Sequence, residues 1–395
     1  MTGLPLSGTR ILSVDQYGAG PYGSMFLAQL GAEVIKIEPP GSGDSARATG
    51  PFFLGADDSL FYQTFNLNKR SLTLDLKSSA GQDILHRLVK TADAVTNNAR
   101  GDQPAELGID YKALGPANPA IVCVHTSAYG RDNARAAWPG YDFLMQAEAG
   151  FLSVTGEPDA PPTRFGLSMV DFMTGSMQAT AALAGILSAR STGMGRDYDV
   201  CLLDAAVHQT SYPATWYLNE GHDIGRTSRS AHPSVAPSQL IATADGYMFV
   251  MAQLPKFWAR LADALGLGTL KDDPRFRSNA DRFRNREALV AALETVTTTQ
   301  PSAHWIALLG GHVPVAAVNS LAQALDSPVL AESGMVTTVE HPSGPLRVLA
   351  SPIKVDGQRL PSRAAPALGA DTAELLAEIG LSEAETAALR AAGTI

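Results

Sequence analysis

The chain has 395 residues, of which 45% are apolar and 17% charged, enough for two cores rather than one. A formal net charge of −9 with no lysine or arginine run argues against a nucleic-acid partner. Two cysteines, Cys123 and Cys201, sit in apolar strand-like runs and read as buried reduced thiols. They are too few for a metal cluster, and no HExxH or paired-histidine spacing occurs, so no metal site is expected. The start "MTGLPLSGTR" lacks the apolar core of a signal peptide, and no apolar run approaches the ~18 residues of a membrane helix. The expected setting is the cytoplasm, with no membrane partner.

In chain order, "TRILSVDQ" reads as a buried strand and "GPYGSMFLAQLGA" as a helix opened by Pro21 and closed by Gly31. "EVIKIE" is a second strand, "SLTLDLKS" (71–78) alternates with period two, and "AGQDILHRLVKTA" has helical apolar spacing. "DAVTNN" and "AIVCVHTSA" add strands, the second followed by the helical "YDFLMQAEAGFLSV". Then come the helical "FMTGSMQATAALAGILSAR" and the strand-like "RDYDVCLLDAAV". This alternation predicts an α/β fold, a parallel sheet covered by helices.

The texture changes near residue 221. "GHDIGRTSRSAHPSVAPS" reads as a long loop, and "QLIATADGYMFVMAQ" as a hairpin across Asp245-Gly246, followed by short helices at 257–266, 286–299 and 303–310. "GMVTTVEHPSGPLRVLASPIKV" reads as a second hairpin, and "DTAELLAEIGLSEAETAALRAAG" as two closing helices. The predicted organisation is a large domain over 1–221, a smaller inserted α+β domain over 222–325, and a segment over 326–395 that returns to the large domain.

Residues 18–23, "GAGPYG", spell G-x-G-x-x-G after a predicted strand and before a helix, with Glu38 twenty residues beyond Gly18. That is the context of a dinucleotide-binding fingerprint and of an NAD(P)-dependent oxidoreductase. Against it, Pro21 removes a backbone N–H from the turn that would hold a pyrophosphate; the other reading is a tight strand-to-helix turn. A second stretch, "GLSMVDFMTG" (166–175), sets Asp171 at the head of a long apolar run. Aspartate is a favoured helix N-cap, and it is also a nucleophile; the two readings are compatible.

Six blocks carry a resemblance. "LAQLGAEVIKIEPPGSGD" (28–44), "NLNKRSLTLDLKSSAG" (66–81), "WPGYDFLMQAEAGFLSVTGEPDAPPT" (138–163), "VDFMTG" (170–175), "ADGYMFV" (244–250) and "GHVPVAAVNSLAQAL" (311–325) fall in order along the chain. From about residue 6 to the C-terminus the sequence resembles the class III CoA-transferases, the CaiB/BaiF family. The resemblance implies a Rossmann-like large domain whose parallel sheet is built from both chain ends, a smaller inserted domain, and two subunits interlocked as a homodimer. It implies a CoA-transferase that moves CoA from an acyl-CoA to a small free carboxylic acid, with CoA as substrate and no permanently bound cofactor.

By the same resemblance Asp171 is the catalytic residue, forming a mixed anhydride and then an aspartyl-CoA thioester. An unperturbed aspartate, with a pKa near 3.9, is ionised at neutral pH, and a helix N-terminus would keep it so. The segments matching the family's CoA-binding residues point to Gly18 and Ala19, to Asn68, Lys69 and Arg70, and to Asn98, Ala99 and Arg100. Gln16, Tyr141 and His232 are candidate substrate contacts. Some positions depart from the family: Gly18 stands where formyl-CoA transferase has Gln, and Pro39 where many members have an Arg, with Arg47 read as a surface charge. Acyl-CoA racemases of this fold pair the matching Asp with a His in "GHD"; here the motif is "GYD", and Tyr141 is a poor base at neutral pH. A catalytically silent acyl-CoA-binding protein is the remaining alternative.

Overall fold

A computed structural model describes residues 3–395. Six strands, β1 (Arg10–Val14), β2 (Glu33–Glu38), β3 (Arg70–Thr73), β4 (Ala94–Asn97), β5 (Val122–Ser127) and β6 (Asp197–Cys201), form one wholly parallel sheet. Their order in space is β3-β2-β1-β4-β5-β6. Consecutive apolar residues within a strand serve opposite faces. Leu12, Ile35, Leu72, Val95 and Cys123 pack on one side with Ile84, Leu85 and Leu88 of the helix Ser79–Val89. Ile11, Val34, Ala94, Val122 and Val124 pack on the other against helices α1 (Ala19–Gln29) and α2 (Met169–Thr192), through Leu27, Ala28, Ala182 and Ile186. Both faces are thus buried, as a parallel sheet requires. Cys123 and Cys201 are buried and unpaired.

The chain divides into two compact units. One runs up to Ala149 and includes Gly166–Ser211 and Pro328–Ile395; the other is Gly150–Phe165 with Tyr212–Ser327. The sequence reading set the smaller unit at 222–325. The larger unit departs from one expectation. Its sheet is not built from both chain ends, since all six strands lie between Arg10 and Cys201. The C-terminal segment returns as the helices Thr372–Glu378 and Glu383–Ala391, burying Leu375 and Leu376 on the sheet. The physical reason lies at the edge strand β3. There Asp371 Oδ2 accepts from the Ser71 N–H (2.8 Å) and Thr372 Oγ1 from the Thr73 N–H (3.1 Å). With those donors satisfied by side chains, the edge needs no further strand.

The smaller unit holds a three-stranded antiparallel sheet of Ser238–Thr243, Gly246–Met251 and Val315–Ala317. Its hairpin turns on Ala244-Asp245, with Gly246 already paired to Thr243. Helices Pro255–Ala264, Arg286–Thr297 and Ser302–Leu309 contribute Trp258, Leu261, Leu289 and Trp305 to a core with Ile241, Met248 and Val250.

Candidate active site

In a sheet of this order the chain leaves β1 and β4 towards opposite sides, which opens a crevice beyond their carboxyl ends. A cleft of about 610 Å³ occupies that place. Gln16–Ala19 line it after β1, Asn98–Arg100 and Gln103 after β4, and Thr126–Ala128 around the end of β5. Trp138–Tyr141, Ser45, Leu202 and Asp171 complete the wall. All of these belong to the larger unit.

The three glycines of "GAGPYG" each meet a group of the protein itself. A Cβ on Gly18 would stand 2.6 Å from Asp171 Oδ2, one on Gly20 2.4 Å from Asp15 Oδ1, and one on Gly23 2.4 Å from the Gly175 carbonyl oxygen. A Cβ on Gly175 would in turn meet the Ala19 carbonyl oxygen at 2.4 Å. Helices α1 and α2 therefore approach backbone to backbone at Gly23 and Gly175, and one turn before Gly175 this sets Asp171 against the start of α1. Glu38, the acid of the fingerprint reading, is buried, with its oxygens held by Arg47 Nε and Nη2 (both 2.8 Å), Ser71 Oγ (2.7 Å) and Asp44 N–H (3.0 Å). Arg47 is accordingly no surface charge: it is buried in that ion pair, 3.8 Å from the Tyr62 ring centroid. A buried guanidinium is tolerable only with such partners.

Asp171 is the third residue of α2, whose N-cap is Ser168 with no side-chain capping bond. It does not cap the helix. Its own N–H is instead taken by Asp142 Oδ2 at 2.9 Å, from the helix Asp142–Glu148. The Asp171 carboxylate is half-buried and accepts no hydrogen bond from another described residue. Burial, then the nearby negative Asp142, push its pKa from 3.8 up to about 7. The expectation of an unperturbed aspartate is thus corrected; desolvation outweighs the two helix N-termini near it.

The loop before α1 is held rigidly. Asn98 Oδ1 accepts from the Gln16 N–H (2.8 Å) and Asn98 Nδ2 donates to the Gln16 carbonyl (2.6 Å), so this amide is committed to the loop. Tyr17 has φ +69°, unusual for a side-chain-bearing residue. Its N–H is held by Asp44 Oδ1 at 2.9 Å, and Asp44 by Lys36 at 2.7 Å. Lys36 also donates to the Asp15 carbonyl at 2.6 Å.

Of the residues singled out in the sequence, Gln16, Gly18, Ala19, Asn98, Ala99, Arg100, Tyr141 and Asp171 share the cleft. Arg100 is paired with Asp102 at 3.0 Å, and Tyr141 is 66% exposed. Asn68, Lys69 and Arg70 are not among the lining residues. Lys69 is buried and donates to Asn66 Oδ1 (2.9 Å) and to the Pro21 carbonyl of α1 (3.0 Å); burial holds its pKa well below the usual lysine value. Arg70 pairs with Glu33, Glu378, Glu374 and Asp371. With Asn68 it lines a separate groove of about 380 Å³. His232 belongs to the smaller unit, where it stacks on Tyr212. Sequence reading missed Tyr17, Gln103, Thr126, Ser127 and Trp138 on the wall, and Asp142 beneath it. Asp142 and Trp138 carry a signal, their places beside Tyr141 in the block that begins "WPGYD".

The sequence matches the CoA-transferase family III description over residues 6–372, and the chain belongs to that family. A succinate–glutarate CoA-transferase of Agrobacterium fabrum is 31% identical over 389 residues, 95% of this chain and 96% of that one. An acetyl-CoA:oxalate CoA-transferase of Acetobacter aceti is 32% identical, covering 96% and 97%. A CaiB/BaiF family protein of Brucella suis has the same fold, with a TM-score of 0.83, 30% identity, and 96% and 100% of the two chains covered.

Proposed function

We propose that the protein transfers CoA from an acyl-CoA thioester to a free carboxylic acid, with Asp171 as nucleophile. The observation that carries this reading is a half-buried carboxylate that accepts no hydrogen bond from another described residue and opens into a cleft at the switch point of the sheet. In the first step an Asp171 oxygen attacks the thioester carbonyl, the C–S bond breaks, and CoA leaves as the thiolate while a mixed anhydride forms. The thiolate then attacks the Asp171 side-chain carbonyl; the anhydride C–O bond breaks, releasing the donor acid as a carboxylate and leaving a neutral aspartyl-CoA thioester. The acceptor carboxylate takes the CoA by the reverse sequence. Every step exchanges an acyl group between an oxygen anion and a thiolate, so the chemistry calls for no redox group or metal. The first N–H groups of α1 lack partners within the helix and favour the charge that develops beside Gly18.

The relatives' substrates make short dicarboxylates the first acids to screen, with Arg100 the cation on the cleft wall. Racemisation would need a second base facing Asp171, and among the described residues no histidine lines the cleft. The family likeness also supports an interlocked cytoplasmic homodimer, which light scattering on dilution tests. For the chemistry, the protein is incubated with acyl-CoA and no acceptor, then quenched with hydroxylamine and mapped by peptide mass. Modification on Asp171 is expected; an unmodified Asp171 overturns the mechanism.

A further inference from the structure

Asp142 is 4% exposed, and both of its carboxylate oxygens are engaged. Oδ1 accepts from Gln146 Nε2 at 2.6 Å, one turn along its own helix, and Oδ2 accepts from the Asp171 N–H at 2.9 Å. The second bond is a tertiary cap. The N–H at the third position of α2 has no partner within the helix, and Ser168 supplies none. A neutral acceptor such as Ser or Asn would satisfy that N–H as well, and would spare the protein a second carboxylate beside a carboxylate that accepts no hydrogen bond. The use of a charged group here therefore needs a reason beyond capping.

Resting on the reading of Asp171 as nucleophile, we infer that Asp142 is a positioning residue that caps the Asp171 turn and, by its like charge, disfavours the free Asp171 carboxylate so as to favour its acylation. The balance of charge gives the direction. When Asp171 attacks the thioester, its negative charge passes to the departing thiolate and then to the released acid, and the aspartyl group left beside Asp142 is neutral. Repulsion present in the free enzyme is absent from the acylated one, so equilibrium moves towards the covalent state. The same repulsion adds to burial in raising the Asp171 pKa. Among the described residues the charge that acts on Asp171 is Asp142; α1 presents Gly18 and uncharged backbone, Asp15 is turned towards Ser13, Thr96 and Gln178, and Arg100 on the cleft wall is paired with Asp102.

The test uses the full-length protein with Asp142→Asn, and with Asp142→Ser, a smaller neutral cap, should the first fail to fold. Two readings are compared with wild type. The acid limb of kcat/KM, which reports the ionisation of Asp171 in the free enzyme, is expected to move down by about one pH unit. The fraction of Asp171 trapped as thioester at a fixed ratio of acyl-CoA to free acid, measured well above the limb, is expected to fall by about tenfold. Asp142→Glu, which keeps the charge, should leave the limb in place while lowering turnover. A purely structural Asp142 would lower turnover in the neutral variants with limb and trapped fraction unchanged, and that result overturns the inference. If wild type itself never carries CoA on Asp171, it is the proposed function that fails, not the role of Asp142 alone.

Discussion

Replacing Asp171 by Asn separates chemistry from structure and can be given a magnitude. The ionised side chain is held against its preference: its pKa rises from 3.8 to about 7, chiefly through burial and then through Asp142. A gap of roughly three pH units, at about 1.4 kcal/mol each, makes the ionised Asp171 cost the fold about 4 kcal/mol at most. The sign follows from linkage. With the folded-state pKa raised, the neutral form favours folding; that contribution is intact below about pH 3.8 and is lost as pH rises through about 7. Asn stays neutral throughout and loses little else, because the carboxylate accepts no hydrogen bond from another described residue. Allowing about 0.5–1 kcal/mol for the helix N-terminus it no longer complements, Asp171→Asn should stabilise the larger unit by up to about 3 kcal/mol near pH 8.5 and by little near pH 4. Urea unfolding at both pH values is the assay, with hydrogen exchange over 169–192 as a local probe because two units need not unfold together. Turnover should fall by orders of magnitude in the same protein. Equal stability at both pH values, or normal turnover, refutes the reasoning.

Gly18→Ala puts a Cβ 2.6 Å from Asp171 Oδ2 and forces that carboxylate aside; turnover should drop about 100-fold with the circular dichroism spectrum unchanged. Gly175→Ala meets backbone rather than a side chain, the Ala19 carbonyl at 2.4 Å, so it should cost about 3 kcal/mol or more, read as a lowered urea midpoint. Asn98→Ala removes both bonds to the Gln16 backbone and should raise KM for acyl-CoA while costing about 1–3 kcal/mol of stability. Calorimetric titration should detect CoA binding at micromolar concentration and none for NAD or NADP, since Glu38 and the glycines are already occupied by the protein.

Much of this protein was legible in one dimension. The central strands β1, β2, β4 and β5 stand out as short apolar runs because a parallel sheet buries both faces, and the run after Asp171 marks α2 by its length. Ordered blocks carried the family, and with it attention to Asp171. What the sequence left undecided were questions of distance between segments far apart in the chain. "GAGPYG" has one spelling for two purposes, and only the tertiary contacts of its glycines with Asp171, Asp15 and Gly175 reveal which groups fill the space. Lys69 and Arg70 read as charges available to a ligand and Arg47 as a surface charge, yet all three are claimed by partners such as the Pro21 carbonyl, Glu378 and Glu38. The ionisation of Asp171 lies beyond the sequence for the same reason. A pKa depends on water excluded and charges brought near, and the nearest charge, Asp142, lies 29 residues away along the chain but 2.9 Å from the Asp171 nitrogen after folding.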